Sequence, residues 1–324
     1  MPITPREFSL PSANGEGDLF CRSYLPEGKA TAVVYIAHGM CEHSGRYGRL
    51  CTLLAERGCA VYMNDHCGHG RSAMGHPGTF SLQGNGFAFV MTDILRMLDL
   101  AGDENPGVPR FLIGHSMGSM LAGLIADRCG DRLDGLVMLG MPSPNAFSGP
   151  GSRLAGLIAR LRGQDHNSLL LNAIAYSATC GARKVPRVIM KQWLSHNMEN
   201  VREYADDPLS QFEFSASAME QLMGGLKELC RDDWGRGMPK DLPVLIMSGT
   251  EDQGGNFGEA PRGFARHLEE IGMEDVTLHL VEGARHEIFN ELDTRDADGA
   301  LLAWLAEHMP SGKRVPGSVS LGYS

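Results

Sequence analysis

The sequence predicts an α/β protein: a mostly parallel central sheet with helices on both faces, interrupted by a helical insertion. Three observations predict it. Short continuous apolar runs, such as Ala32 to Ala37, Ala60 to Met63 and Val244 to Met247, alternate with segments whose apolar residues recur at helical spacing. Several of these runs end in loops rich in glycine and histidine, as expected where ligands gather at the carboxyl ends of parallel strands. The rhythm stops from about Ser143 to Lys240, where the chain offers amphipathic helical pieces punctuated by proline and glycine.

Taken in order, residues 6 to 11 and 17 to 25 are strand candidates joined by Asn14-Gly15-Glu16-Gly17, a hairpin expected at the sheet edge. The run from Ala32 to Ala37 reads as a strand buried on both faces, and His38-Gly39-Met40 follows it. A helix is expected from Ser44 to Glu56, closed by Gly58, and then a strand from Ala60 to Asn64. Residues 86 to 101 place Phe87, Val90, Ile94 and Leu98 on one helical face. Two further strands are expected up to Ile113 and over Leu133 to Leu139. After the insertion come a strand at Pro243 to Gly249, a helix from Glu259 to Ile271, a strand from Val276 to Val281 and a helix from Thr294 to His308. The expected division is a core of residues 1–142 and 241–310, a helical cap at 143–240 lying over the active end of the sheet, and a loose tail at 311–324.

Composition narrows the functional classes. At 324 residues, with 43% hydrophobic and 21% charged side chains, the chain can bury a large core. Its formal net charge of −10 argues against nucleic acid as a partner. No apolar stretch is long enough to span a bilayer, and Met1 to Glu7 precede no apolar signal region. The 8 cysteines are scattered without a Cys-x-x-Cys pair, so reduced thiols in a cytoplasmic protein are expected, not disulfides or a zinc site. The cysteines are expected to be mostly buried, but Cys41 and Cys67 fall in loops near the candidate site, where a thiol reagent acting on them would affect activity.

The chemistry centres on Arg110 to Met120, an apolar run ending in Gly114-His115-Ser116-Met117-Gly118 and continuing at helical spacing. Strand, sharp turn and helix in that order hold a serine in a strained conformation, with small residues two before and two after so that strand and helix can close up. A serine hydroxyl attacks a carbonyl only with a base in reach, and that base needs a partner to hold its tautomer. Asp252 and His286 follow later strands in the order acid, then histidine, with Glu251 the nearest rival acid. The oxyanion that forms needs donors. The N–H of Met117 and that of Met40, in the loop after the third strand, are the candidates.

Four segments carry a resemblance: His38-Gly39-Met40-Cys41-Glu42-His43-Ser44-Gly45-Arg46-Tyr47, Asp65-His66-Cys67-Gly68-His69-Gly70-Arg71-Ser72, Gly114 to Gly118, and Gly283-Ala284-Arg285-His286-Glu287. From about residue 6 to 309 the chain resembles the monoglyceride lipase and lysophospholipase branch of the α/β-hydrolases, which also holds sequences labelled serine aminopeptidases. The resemblance implies the α/β-hydrolase fold with a helical cap and cofactor-free hydrolysis of carboxylic esters. Ser116, Asp252 and His286 would be the triad, and Met40 and Met117 the oxyanion donors.

Other features stay open between two readings. Glu42 and Arg46 either bind a glycerol-like head group or form a local i,i+4 ion pair. His66, His69 and His76 lack a carboxylate cluster at ligand spacing and read as structural, with no metal expected. Arg153, Arg160 and Arg162 flank the stripe Leu154, Leu157, Ile158 and Leu161, which either touches a lipid surface transiently or packs on the core. The expected substrate is a small acyl ester of monoacylglycerol or lysophospholipid type. The rivals are an aminopeptidase or amide hydrolase using Glu42 or Glu213 to hold an amino terminus, an acyltransferase, and a non-catalytic binding protein.

Overall fold

The structure, a computed structural model, describes residues 3–143, 148–172 and 191–309. The tail at 311–324 lies outside them, as does the end of the helical piece at Ile174. Eight strands, β1 (Arg6–Pro11), β2 (Asp18–Tyr24), β3 (Ala32–Ala37), β4 (Cys59–Asn64), β5 (Arg110–His115), β6 (Gly135–Leu139), β7 (Val244–Gly249) and β8 (Val276–Val281), form one sheet. Their spatial order is β1, β2, β4, β3, β5, β6, β7, β8. The β1–β2 hairpin is antiparallel, pairing Arg6 with Ser23 and Pro11 with Asp18, and β2 runs antiparallel to β4. All remaining pairs are parallel.

The helices are α1 (Gly48–Glu56), α2 (Gly86–Glu104), α3 (Met117–Cys129), α4 (Ser148–Arg162), α5 (Met198–Asp206), α6 (Ala216–Leu229), α7 (Glu259–Glu270) and α8 (Arg295–His308). Alternate residues of β3 serve opposite faces of the sheet, which is why its apolar run has no polar gaps. Val33 and Tyr35 belong to the core cluster on the α2 and α3 side of the sheet; Val34 and Ile36 belong to the cluster on the α1 and α8 side. The expected helix from Ser44 begins instead as a 3-10 turn, Ser44–Tyr47, before α1. The cause is Asp65, whose Oδ1 accepts from both the N–H and the hydroxyl of Ser44, at 2.8 and 2.5 Å.

The chain steps from β3 to β4 on one side and returns to β5 on the other. The loops leaving β3 and β5 therefore diverge and open a crevice at the carboxyl edge. Between β6 and β7 the described residues form α4, α5, α6 and two 3-10 turns, Gln192–Leu194 and Pro208–Ser210. In α4 the small residues Ala155, Gly156 and Ala159 are the buried ones. The Glu220 carboxylate of α6 lies where a Cβ on Gly156 would stand, so the two helices are in close contact at this face. The leucines are left outside: Leu154, Leu157 and Leu161 are 40, 53 and 73% exposed. Ile158 alone of the stripe packs against the core, so the core-packing reading holds for it and not for the three leucines.

Candidate active site

Ser116 stands between β5 and α3 at φ 55°, ψ −116°, outside the comfortable region for a residue with a Cβ. Packing imposes that conformation. A Cβ on Gly114 would strike the Gly118 carbonyl, and one on Gly118 would strike the carbonyl of Ala37 at the end of β3. The Ser116 N–H donates to Leu139 O at 2.9 Å, and Ser119 returns N–H and hydroxyl bonds to Ser116 O at 2.9 and 2.6 Å. The backbone is thus fixed from two directions, while the Ser116 side chain is partly exposed among buried neighbours.

His286 and Asp252 come from the loops after β8 and β7. His286 Nδ1 lies 3.1 and 3.0 Å from the two carboxylate oxygens of Asp252. Asp252 is completely buried and also accepts from Gly254 N–H at 2.8 Å and Ser248 Oγ at 3.2 Å. Burial opposes its ionisation, but the charge and hydrogen bond of His286 and the N–H groups of Gly254 and Gly255 outweigh it, holding the carboxyl below its ordinary value. Glu251, the rival acid, points outward and pairs with His196 at 2.8 Å. Gly140, next to the Leu139 that holds Ser116, has no room for a Cβ free of the His286 ring, which would lie 3.0 Å away. The Ser116 backbone and the His286 ring are thus each set against one of two consecutive residues, Leu139 and Gly140, at the end of β6.

Met117 is the first residue of α3, so its N–H has no intrahelical acceptor. The Met40 N–H has no backbone acceptor among the described residues. Gly39 brings this loop against the serine: a Cβ there would sit 3.2 Å from Ser116 Cβ. Glu42 holds the loop. Its Oε1 accepts from Gly39 N–H at 2.6 Å and Tyr47 O–H at 2.7 Å, and lies 3.3 Å from His115 Nδ1.

Glu42 and Arg46 do form the i,i+4 pair, at 2.9 Å with side chains 5 and 8% exposed, within a larger buried network. Arg46 also contacts Glu287 and Asn200, and lies over the Tyr204 ring with Cζ 4.6 Å from its centroid. Their polar atoms thus face protein partners. Burial disfavours the charged form of Glu42, but the His115 hydrogen bond and the Arg46 charge hold its carboxyl well below the usual range. His115 is likewise pushed up against the effect of burial by Glu42.

Glu287, Asn200, Tyr204 and Trp193 were not singled out from sequence. The i,i+4 spacing of Asn200 and Tyr204 on α5, and the position of Glu287 beside His286, were the available signals. Of the loop histidines, His38, His66 and His69 form a buried cluster in which the rings of His38 and His66 lie 4.0 Å apart. His76 instead stands 3.4 Å from Asp165. Among the described residues no group of three or more His, Cys, Asp or Glu is arranged to hold a metal. Cys41 and Cys67 are buried, and burial pushes the Cys41 thiol up to about 12 and Cys67 higher still. That corrects the expectation that thiol reagents would affect activity through them.

The family model described as "Serine aminopeptidase, S33" matches residues 28–293. The mouse monoglyceride lipase is 31% identical over 285 residues, covering 86% of this chain and 83% of the relative. A monoacylglycerol lipase of Mycolicibacterium smegmatis is 25% identical over 292 residues, covering 88 and 92%. Among solved structures, a thermostable carboxyl esterase from Bacillus coagulans in complex with glycerol superposes with a TM-score of 0.87 at 25% identity, covering 95% of this chain and 100% of that one. The chain belongs to the serine aminopeptidase S33 family of α/β-hydrolases, on the branch that holds the monoglyceride lipases.

Proposed function

We propose that the chain is a serine ester hydrolase acting through an acyl-enzyme on monoacylglycerol-like or lysophospholipid-like substrates. The observation that carries this reading is the pairing of His286 Nδ1 with buried Asp252, beside the strained turn that presents Ser116. With Nδ1 engaged as donor, His286 Nε2 is the free base. It takes the Ser116 proton as Oγ attacks the ester carbonyl, and the carbonyl oxygen becomes an oxyanion facing the N–H groups of Met40 and Met117. Removing one such donor typically costs about 10²- to 10³-fold. Collapse breaks the ester C–O bond, and His286 gives its proton to the leaving alcohol. Water, deprotonated by the same histidine, then attacks the acyl-enzyme; the second collapse releases the acid and returns the proton to Ser116.

The names of the relatives and the glycerol-bound esterase support an ester of a small polyol. The amide-hydrolase reading calls on Glu42 or Glu213 to hold an amino terminus, and Glu42 is already engaged by Gly39, Tyr47, His115 and Arg46. We further propose that the outward leucines of α4, with Leu169 and Leu170 at 82 and 58% exposure, touch an anionic lipid surface. Arg153, Arg160 and Arg162, all exposed, supply the complementary charge. No helix among the described residues is long and apolar enough to cross a membrane. A cytoplasmic location is proposed from the free thiols of the described cysteines.

The test is a series of p-nitrophenyl esters of increasing acyl length beside aminoacyl anilides, with wild type and Ser116→Ala. Ester turnover that depends on Ser116 and exceeds anilide turnover is expected. Ester turnover surviving Ser116→Ala, or anilides cleaved faster, would overturn the reading.

A further inference from the structure

The segment leading into α5 closes on the loop that carries His286. The two residues flanking Trp193 are bonded to the two residues flanking His286. Arg285 Nη1 donates to Gln192 O at 2.6 Å, and the Glu287 N–H donates to Leu194 O at 2.8 Å. Between those bonds the rings of Trp193 and His286 meet, with centroids 4.6 Å apart and planes tilted by 48°. The clip extends onward. Glu291 Oε2 accepts from Ser195 Oγ at 2.7 Å and His196 N–H at 2.8 Å, and its Oε1 from Arg285 N–H at 2.8 Å. Asn197 Nδ2 reaches Asn290 O at 3.2 Å.

We propose that Trp193 is a positioning residue for the reaction, contributed by the insertion and acting through the imidazole of His286. The inference rests on the proposed role of His286 as base. Besides the Nδ1 bond to Asp252, the His286 ring is flanked by that of His115, with centroids 4.8 Å apart; without Trp193 it could still swing, and a swing of about 1 Å at Nε2 is enough to cost roughly 100-fold. Trp193 narrows that swing because its backbone is tied on both sides to the histidine loop and its indole lies against the ring. An aromatic face beside the ring also favours the imidazolium formed in each tetrahedral step. The contact is side chain to side chain, so the segment acts on the base itself.

The experiment compares wild type with Trp193→Leu, Trp193→Phe and Arg285→Met, using a short soluble p-nitrophenyl ester. Trp193→Leu is expected to lower kcat roughly 10- to 100-fold with KM little changed, and Trp193→Phe to restore most of it. The low-field proton resonance of the His286–Asp252 hydrogen bond should broaden or vanish in Trp193→Leu and return in Trp193→Phe. Arg285→Met, which loosens one side of the clip, should lower kcat in the same sense and stands in if Trp193→Leu does not fold. Unchanged kcat and resonance in Trp193→Leu, a loss confined to KM, a loss Phe does not repair, or wild-type kcat in Arg285→Met would overturn the proposal. A Ser116→Ala variant that still turns over would sink the triad reading instead, so the two failures are distinguishable.

Discussion

Arg46 and Glu287, 241 positions apart, form a two-contact ion pair, with Nη1 to Oε1 at 2.6 Å and Nη2 to Oε2 at 2.8 Å. Their side chains are only 8 and 3% exposed. The pair joins the loop after β3 to the loop carrying His286, and Asn200 of α5 bonds both partners, at 2.9 Å to Arg46 and 2.7 Å to Glu287. Removing Glu287 takes away two of Arg46's contacts and leaves the buried guanidinium with Glu42 and Asn200. Glu287→Leu is expected to lose about 3 kcal/mol of stability, and Arg46→Met with Glu287→Leu to lose less than the two single changes summed. Urea denaturation of the four proteins checks it; additive losses would show the pair to be uncoupled.

Asp252 and Glu251 separate cleanly by burial. Asp252→Asn is expected to lower kcat on the order of 10³- to 10⁴-fold, because the wrong histidine tautomer is then favoured. Glu251→Gln loses only an exposed contact to His196, worth less than about 1 kcal/mol, so its activity should stay near wild type. Steady-state ester kinetics of both variants decide the matter, and a crippled Glu251→Gln beside an active Asp252→Asn would reverse the assignment.

The methionine and glycine that follow Ser116 should respond oppositely. Met117 is proposed to act through its N–H, so Met117→Leu is expected to keep activity within a few-fold and lose under about 1.5 kcal/mol. Gly118→Ala pushes a methyl into the Ala37 carbonyl, which the β3 ladder holds in place. It should lose about 1–3 kcal/mol and most of its activity. Thermal melts beside kinetics give both numbers.

Acid should weaken the fold through the histidine cluster. Burial lowers His69 to about 3, its Nε2 has no partner, and His66 and His38 are lowered by burial as well. Below the unfolded value near 6.5 the unfolded chain binds protons that the native cluster refuses. Stability therefore falls as pH drops from about 6.5 toward the folded values, by about 2 kcal/mol at pH 5 for His69, with His66 and His38 acting in the same direction. His69→Leu, among Phe80, Phe212 and Phe214, should flatten that slope. Urea midpoints at pH 7 and pH 5 measure it; an equal slope in the variant would exonerate His69.

The outward face of α4 predicts lipid contact. Leu157→Glu with Leu161→Glu should reduce co-sedimentation with phosphatidylglycerol-containing vesicles by roughly tenfold or more, since apolar burial and charge attraction are both lost. Equal sedimentation of variant and wild type would remove the lipid-surface reading.

The strand and helix rhythm, the serine turn and the carboxyl-edge positions of Asp252 and His286 were all legible in the sequence. Each depends on residues close along the chain: apolar spacing decides which face is buried, and glycines decide where a turn can tighten. The sequence favours Asp252 with Glu251 as its nearest rival, because adjacent residues share nearly the same local signals; which one the fold buries is a matter of tertiary structure. The sequence could not say that Glu42 and Arg46 would meet Glu287 and Asn200, or that Trp193 would lie against His286. The α4 stripe is the clearest case. Its leucines have the periodicity of a buried face, yet the helix turns Ala155, Gly156 and Ala159 inward, with Gly156 against the Glu220 side chain of α6. Periodicity marks a face; what that face meets is decided by packing between segments far apart in sequence.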